Sequence, residues 1–242
     1  MARAAKKSRR QLQLPLQGVG QKPGARRGPK PGVRGLVRHR ARAAHSAAHP
    51  LHVVLRSKLR SLRNQFMFPT LRAALAKASR ARADFRITQF SVQGDHLHLI
   101  VEASDKSALS RGMQGLAIRV ARQVNALISR RGRLWADRFF SRPLTSPRAV
   151  RNALGYVLNN FRKHRAGGAA RIDPYSSAPH FDGFAELRGR APCELASRAT
   201  LPLTPRGVAP PQAATEVPVL PAQTWLARVG WRKAGLLTLS PS

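Results

Sequence analysis

His96 and His98, in the segment FSVQGDHLHLIVE (residues 90–102), are separated by a single residue. Side chains of a strand alternate between its faces, so the two imidazoles project together while Leu97, Leu99 and Val101 project from the opposite side. Two such rings can each aim a nitrogen at one divalent cation, at a distance of about 2 Å. Two protein ligands leave most of a coordination sphere to water or substrate oxygens, which suits a catalytic ion better than a structural one. Taken alone, the pair reads first as two surface-facing histidines and only second as a metal site, since short motifs recur by chance.

A second candidate is Tyr156. In SPRAVRNALGYVLNNFRKH (residues 146–164), Val150, Ala153, Leu154, Val157, Leu158 and Phe161 fall on one arc at helical spacing. Tyr156 lies away from that arc, in line with Asn152 one turn before it and Asn160 one turn after it. On its own this is an exposed tyrosine on a solvated face. Beside a cation held by two imidazoles it has a chemical use. A phenol, with a pKa of about 10, is a poor nucleophile at neutral pH. Placed in line with a phosphodiester whose oxygen is bound to a divalent ion, it can attack phosphorus. The product is a phosphotyrosine ester that conserves the bond energy for rejoining.

The composition supplies a reason for phosphodiesters to be present. The 242 residues include 44 Lys and Arg against 10 Asp and Glu, a formal net charge of +34. Self-repulsion on that scale opposes a compact state unless a polyanion neutralises it. Nucleic acid fits best, because each phosphate contacted by Lys or Arg releases a condensed counterion. An anionic membrane is the weaker candidate, as the sequence has no long apolar run and no lipidation motif. The single cysteine, Cys193, excludes an intrachain disulfide framework and Cys-based zinc sites. With no secretory signal pattern at the N-terminus, the expected location is the bacterial cytoplasm, in association with the nucleoid.

These residues need elements to position them. Residues 1–45 hold thirteen Lys or Arg and no acidic residue, and read as a disordered basic arm. From His49 the texture changes. HPLHVVLR reads as a strand, residues 71–83 as a helix and residues 85–92 as a second strand. QGD then turns into the His-bearing strand. Ser104 and Asp105 can cap a long helix over residues 108–130, whose surplus of apolar residues fits either a homodimer partner or a docked C-terminal unit. Residues 134–144 read as a fourth strand, and Ser146-Pro147 opens the tyrosine helix, which ends near His164. The order β-α-β-β-α-β-α predicts an α+β domain over residues 46–168, a ferredoxin-like split βαβ antiparallel sheet with helices on one face. Residues 169–190 read as an ordered loop extension, residues 191–222 as a Pro-rich linker and residues 223–242 as a short helical unit. That last unit has two readings, docking on the core or touching DNA through Arg228, Arg232 and Lys233. His49 and His52, at an odd spacing from the pair, read as turn and packing residues.

HLH resembles the HUH signature (His, bulky apolar residue, His), and YVLNN resembles the tyrosine motif of the single-tyrosine HUH transposases. The likeness is strongest to the REP-associated tyrosine transposases and their insertion-sequence relatives. It runs from about His49 to His164 and takes in GDHLHLIVE, GMQGLAIRVARQVN, WADRFF and YVLNNFRKH. The resemblance implies that His96 and His98 bind Mg²⁺ or Mn²⁺, with Asn160 as a third, amide ligand. It implies that Tyr156 attacks single-stranded or hairpin DNA, forming a 5′-phosphotyrosine and freeing a 3′-hydroxyl. It also implies a sheet with the His pair on its central strand. Arg138 and Phe139 occupy a basic-aromatic strand of the family that lines the DNA path, and Arg130, Arg131 and Lys163 are further candidate DNA contacts. The sequence departs from the pattern at Asp95, where the family has Asn before the first histidine, at Phe161, where it has Pro after the asparagine, and in the whole C-terminal third. Asp95 is expected to point to the face opposite the histidines. A domesticated relative, of the same fold but without cleavage, is the alternative to a DNA strand transferase. An RNA-binding protein of ribosomal type explains the charge but not the ridge tyrosine.

Overall fold

The computed structural model describes residues 44–163, 172–187 and 217–239, and for Arg162 and Lys163 the backbone alone. The basic arm up to residue 43 and residues 188–216 of the C-terminal third lie outside the described residues. Four strands, β1 (Leu51–Arg56), β2 (Phe85–Val92), β3 (His96–Ala103) and β4 (Phe140–Pro143), form one sheet in the order β2-β3-β1-β4. Every neighbouring pair is antiparallel. This is the ferredoxin-like arrangement, with β3 and β1 at the centre.

Alternation along the strands sorts their side chains into two cores. Leu51, Val53, Leu55, Leu97, Leu99 and Val101 pack with α1 (Phe68–Arg80) and α2 (Lys106–Leu127) on one face. Ile100, from the face shared with the histidines, packs instead with Val150, Leu154, Val157 and Leu158 of α3 (Pro147–Lys163). The two helices of the split βαβ unit thus share one face as expected, and α3 is an addition that roofs the other.

Local chemistry explains where the elements begin and end. Asn64 Oδ1 accepts from the backbone N–H groups of Phe66 and Met67, and Pro69 fits the first turn, so α1 starts three residues earlier than the apolar spacing implies. Asp105 caps α2 by accepting from Ala108 N–H. Ser129 takes a left-handed conformation (φ 49°), and this ends α2 before the expected Arg130. Ser146 Oγ accepts from Ala149 N–H, with Pro147 behind it, at the start of α3.

The fourth strand is much shorter than residues 134–144. Trp135 forms only an isolated bridge to Ser57, and Ala136 N–H donates to Arg56 O. Asp137 then accepts from Arg138 N–H, a local turn that lifts residues 137–139 out of the ladder. Pairing resumes only at Phe140, opposite Val54.

Two glycines in α2 give a test of the packing. A Cβ on Gly112 would overlap the Phe85 ring, whereas one on Gly115 meets nothing within 4 Å. Gly112→Ala is expected to lower the unfolding free energy by about 1–3 kcal/mol through overpacking. Gly115→Ala is expected to raise it by about 0.5–1 kcal/mol through helix propensity. Urea denaturation of both variants checks the pair.

Candidate active site

The centre of the α3-covered face is His98, buried on the middle of β3 at 3% exposure. Burying an imidazole is costly unless its polar edges find partners. His52 of β1 supplies one, its Nε2 standing 3.2 Å from His98 Nδ1 with the rings stacked. His96 stands edge-on to His98 with ring centroids 4.6 Å apart. From above, α3 sets the Tyr156 ring edge-on to His98 at 5.1 Å and to His52 at 5.8 Å. Three imidazoles and one phenol, drawn from β1, β3 and α3, therefore converge within one chain.

The hydrogen bonds fix which nitrogen of each ring is available for chemistry. Asp95 Oδ1 lies 2.6 Å from His96 Nδ1, and a carboxylate can only accept, so Nδ1 carries the proton and Nε2 keeps the lone pair. The hydrogen bond to His96 holds the Asp95 carboxyl below the usual carboxylate range; burial opposes this and the nearby Arg56 charge adds to it. Asp95 therefore does not point away from the pair. It sits in the turn that Gln93 N–H closes onto His96 O, ahead of the strand, where alternation no longer sets direction. His52 also differs from its reading as a packing residue. It is pushed down to a pKa of about 4, by burial first and the Arg142 charge second, so it is a neutral ring at neutral pH. One proton shared across the His52–His98 contact engages His98 Nδ1 and leaves Nε2, a buried atom, as the ring's other nitrogen.

Among the described residues no three His, Cys, Asp or Glu side chains form a metal-holding group. A cation here would rest on the two imidazoles of β3 and on an amide. Asn160, one turn beyond Tyr156, is 2% exposed, and its Nδ2 has no hydrogen-bond partner among the described residues. Half a turn of that amide presents Oδ1 in the same place, so the donor set has the chemistry of a hard divalent ion with an incomplete protein shell.

The predicted arginines separate into two groups. Arg138 is exposed in the loop between Ala136 and Phe140, along the β1 edge and beside the site. Arg130 is folded onto its own loop, donating to Asn125 Oδ1 and Arg133 O, and Arg131 is exposed on that loop. Both lie in the loop that follows α2, a helix packed on the sheet face opposite α3. The side chain of Lys163 lies outside the described residues.

Tyr156 is held over its own sheet by segments far along the chain. Arg63 and Asp173 form a bidentate pair at 2.7 and 3.0 Å with exposures of 6% and 0%. Glu102 of β3 accepts from Gln223 N–H, Thr224 N–H and Thr224 Oγ1. Leu226, Trp231 and Leu237 bury themselves in the α3 core, while Arg151 donates to Gly235 O and Leu236 O. The C-terminal unit therefore docks, and residues 217–221, within the Pro-rich stretch, run beside β2 with Leu220 N–H donating to Ile87 O. No helix among the described residues is long and apolar enough to cross a membrane.

Residues 46–160, just under half of the chain, match the family model described as "Transposase IS200 like". That segment belongs to the IS200-like transposase family. The transposase segment holds the whole sheet, Tyr156 and Asn160, while residues 172–187 and 217–239, which brace α3, lie beyond it. A solved structure described as "Structure of the REP associates tyrosine transposase bound to a REP hairpin" is 19% identical, covering 57% of this chain and 81% of that one at a TM-score of 0.46. No curated protein matches the chain.

The Arg63–Asp173 pair ties the segment after α3 to the residues ahead of α1. Asp173→Asn leaves a guanidinium buried without its counter-ion and is expected to cost about 3–5 kcal/mol in urea denaturation. The double variant Arg63→Met, Asp173→Leu, which removes both charges, is expected to recover most of that loss.

Proposed function

We propose that this IS200-like transposase is a DNA strand transferase that cuts and rejoins single-stranded or hairpin DNA through Tyr156. The observation that carries the reading is the convergence, within one chain, of the Tyr156 ring with His98 at 5.1 Å. The Tyr156 Oη attacks phosphorus, the Oη–P bond forms and the P–O3′ bond breaks. The phenolic proton leaves to solvent and the departing 3′-oxygen takes one up. The products are a 5′-phosphotyrosine and a free 3′-hydroxyl, and the reverse reaction reseals a strand without ATP.

Each residue has a role in that scheme. His96 and His98 present Nε2 to Mg²⁺ or Mn²⁺, with Asn160 supplying an amide oxygen. Once bound, the ion supplies Lewis-acid stabilisation of the phosphate charge. Asp95 and His52 orient the two imidazoles through their Nδ1 atoms. Arg56, Arg138 and Arg142 line the approach and hold the DNA backbone by phosphate contact. Tyr156 faces the histidines of its own chain and the docked C-terminal unit covers α3, so the reading requires no second copy to complete the site. The protein works on the bacterial nucleoid, and the basic arm adds salt-sensitive, sequence-independent affinity.

Mixing the protein with labelled single-stranded and hairpin oligonucleotides, with and without Mn²⁺, and resolving the products on a denaturing protein gel tests this. A labelled covalent adduct is expected for the native chain, none for Tyr156→Phe with DNA affinity retained, and none for His96→Ala. DNA binding without any adduct from the native chain, across hairpin and unpaired substrates, would instead identify a binding protein that has lost cleavage. His52→Ala is expected to weaken Mn²⁺ binding by roughly 10–100-fold, read by calorimetry, because His98 loses its orienting partner.

A further inference from the structure

The face that carries the histidines also carries a half-exposed aromatic ring. Phe140, the first residue of β4, is 51% exposed, the largest side chain on that short edge strand. Exposing so much apolar surface forfeits burial free energy, and the rest of the sheet avoids it. Its position follows from the register. Phe140 pairs with Val54, and Val54 pairs with His98, so the three stand in one row across the sheet on one face. Neighbouring strands lie about 4.8 Å apart, which puts Phe140 roughly 10 Å from His98 along that row. Successive bases of a DNA strand are about 3.4 Å apart when stacked and further apart when extended. A base one to three nucleotides from a phosphate at Tyr156 is therefore within reach of the ring.

The surroundings define the occupant. Arg142 pairs with His52 and follows Phe140 by two residues, so it projects from the same face of β4. Arg56 pairs with His96, two residues beyond Val54, and its side chain is 72% exposed. Arg138 is exposed just ahead of Phe140. An apolar ring on a face that also carries Arg142 and Arg56, the latter ion-paired with Asp95, and that follows exposed Arg138 is poorly suited to an apolar protein partner or to a second copy of this cationic chain. Pairing between copies along β4 is further opposed by its four-residue length and by Pro143. A π-face between phosphate-binding cations is the arrangement that holds an unpaired base.

We propose that Phe140 is a stacking platform for an unpaired base flanking the scissile phosphate, fixing where the strand lies relative to Tyr156. This rests on the reading of the face as a DNA-processing site and adds a positioning residue to it. The test is a binding measurement that does not depend on cleavage. Fluorescence anisotropy compares a single-stranded oligodeoxythymidylate with an abasic strand of equal length, at elevated salt where phosphate contacts are weakened. Phe140→Ala is expected to lower affinity for the base-bearing strand by roughly tenfold and to leave the abasic strand unchanged, and Phe140→Trp is expected to restore binding. Equal losses on both strands, or no loss on either, would overturn the proposal. So would a shift in oligomeric state on sedimentation of Phe140→Ala, which would mark the ring as a contact between copies. Failure of the adduct assay alone, with base-dependent binding intact, would count against cleavage and not against stacking.

Discussion

The structure is organised around a central strand that is covered on both sides. β3 gives Leu97, Leu99 and Val101 to the α1–α2 core and gives His98 and Ile100 to the layer beneath α3. Apolar residues tolerate such double burial without further help, but an imidazole does not. β1 brings His52 to the Nδ1 of His98 and α3 brings Tyr156 to its edge, while Nε2 stays buried. The same requirement that lets this strand be buried assembles the groups that could act on a phosphodiester. Packing and chemistry meet at one ring.

Elements with a strong local pattern were legible in the sequence. The alternation of residues 96–101 gave the common face of the two histidines and the opposite face of the leucines. The helical arc from Val150 to Phe161 left Tyr156 and Asn160 on a ridge of their own, and in the fold that ridge turns toward the sheet. Order and spacing of the elements yielded the strand arrangement. All of these depend on periodicities of two or 3.6 residues, which a single chain displays without knowledge of its neighbours.

What escaped detection depended on register or on distance. His52 lies on the site face because β1 pairs antiparallel with β3, and no pattern within HPLHVVLR reveals which histidine of another strand it will meet. Asp95 was misdirected by extending strand alternation into a turn. The stretch from Leu134 to Leu144 has the aromatic and apolar content of a single strand, yet the Asp137 turn splits it into a bridge at Trp135 and a short ladder at Phe140. The docking of Trp231 and Leu237 on α3 joins residues with no shared periodicity, so an amphipathic unit could be recognised there but its resting place could not.

The bracing of α3 has a temporal consequence. Arg151 finds its backbone acceptors 84 and 85 positions further along the chain, and Asn159 finds its own 79 positions further. During synthesis the sheet and its imidazoles can form well before those acceptors exist, leaving the phenol-bearing helix without its outer support. A nascent polypeptide therefore passes through a stage in which the imidazoles are in place and the Tyr156 ring is not yet secured over them. The assembled site thus arrives late, as a property of the nearly complete molecule, and an interrupted translation product would carry the clustered imidazoles without a firmly seated Tyr156 above them.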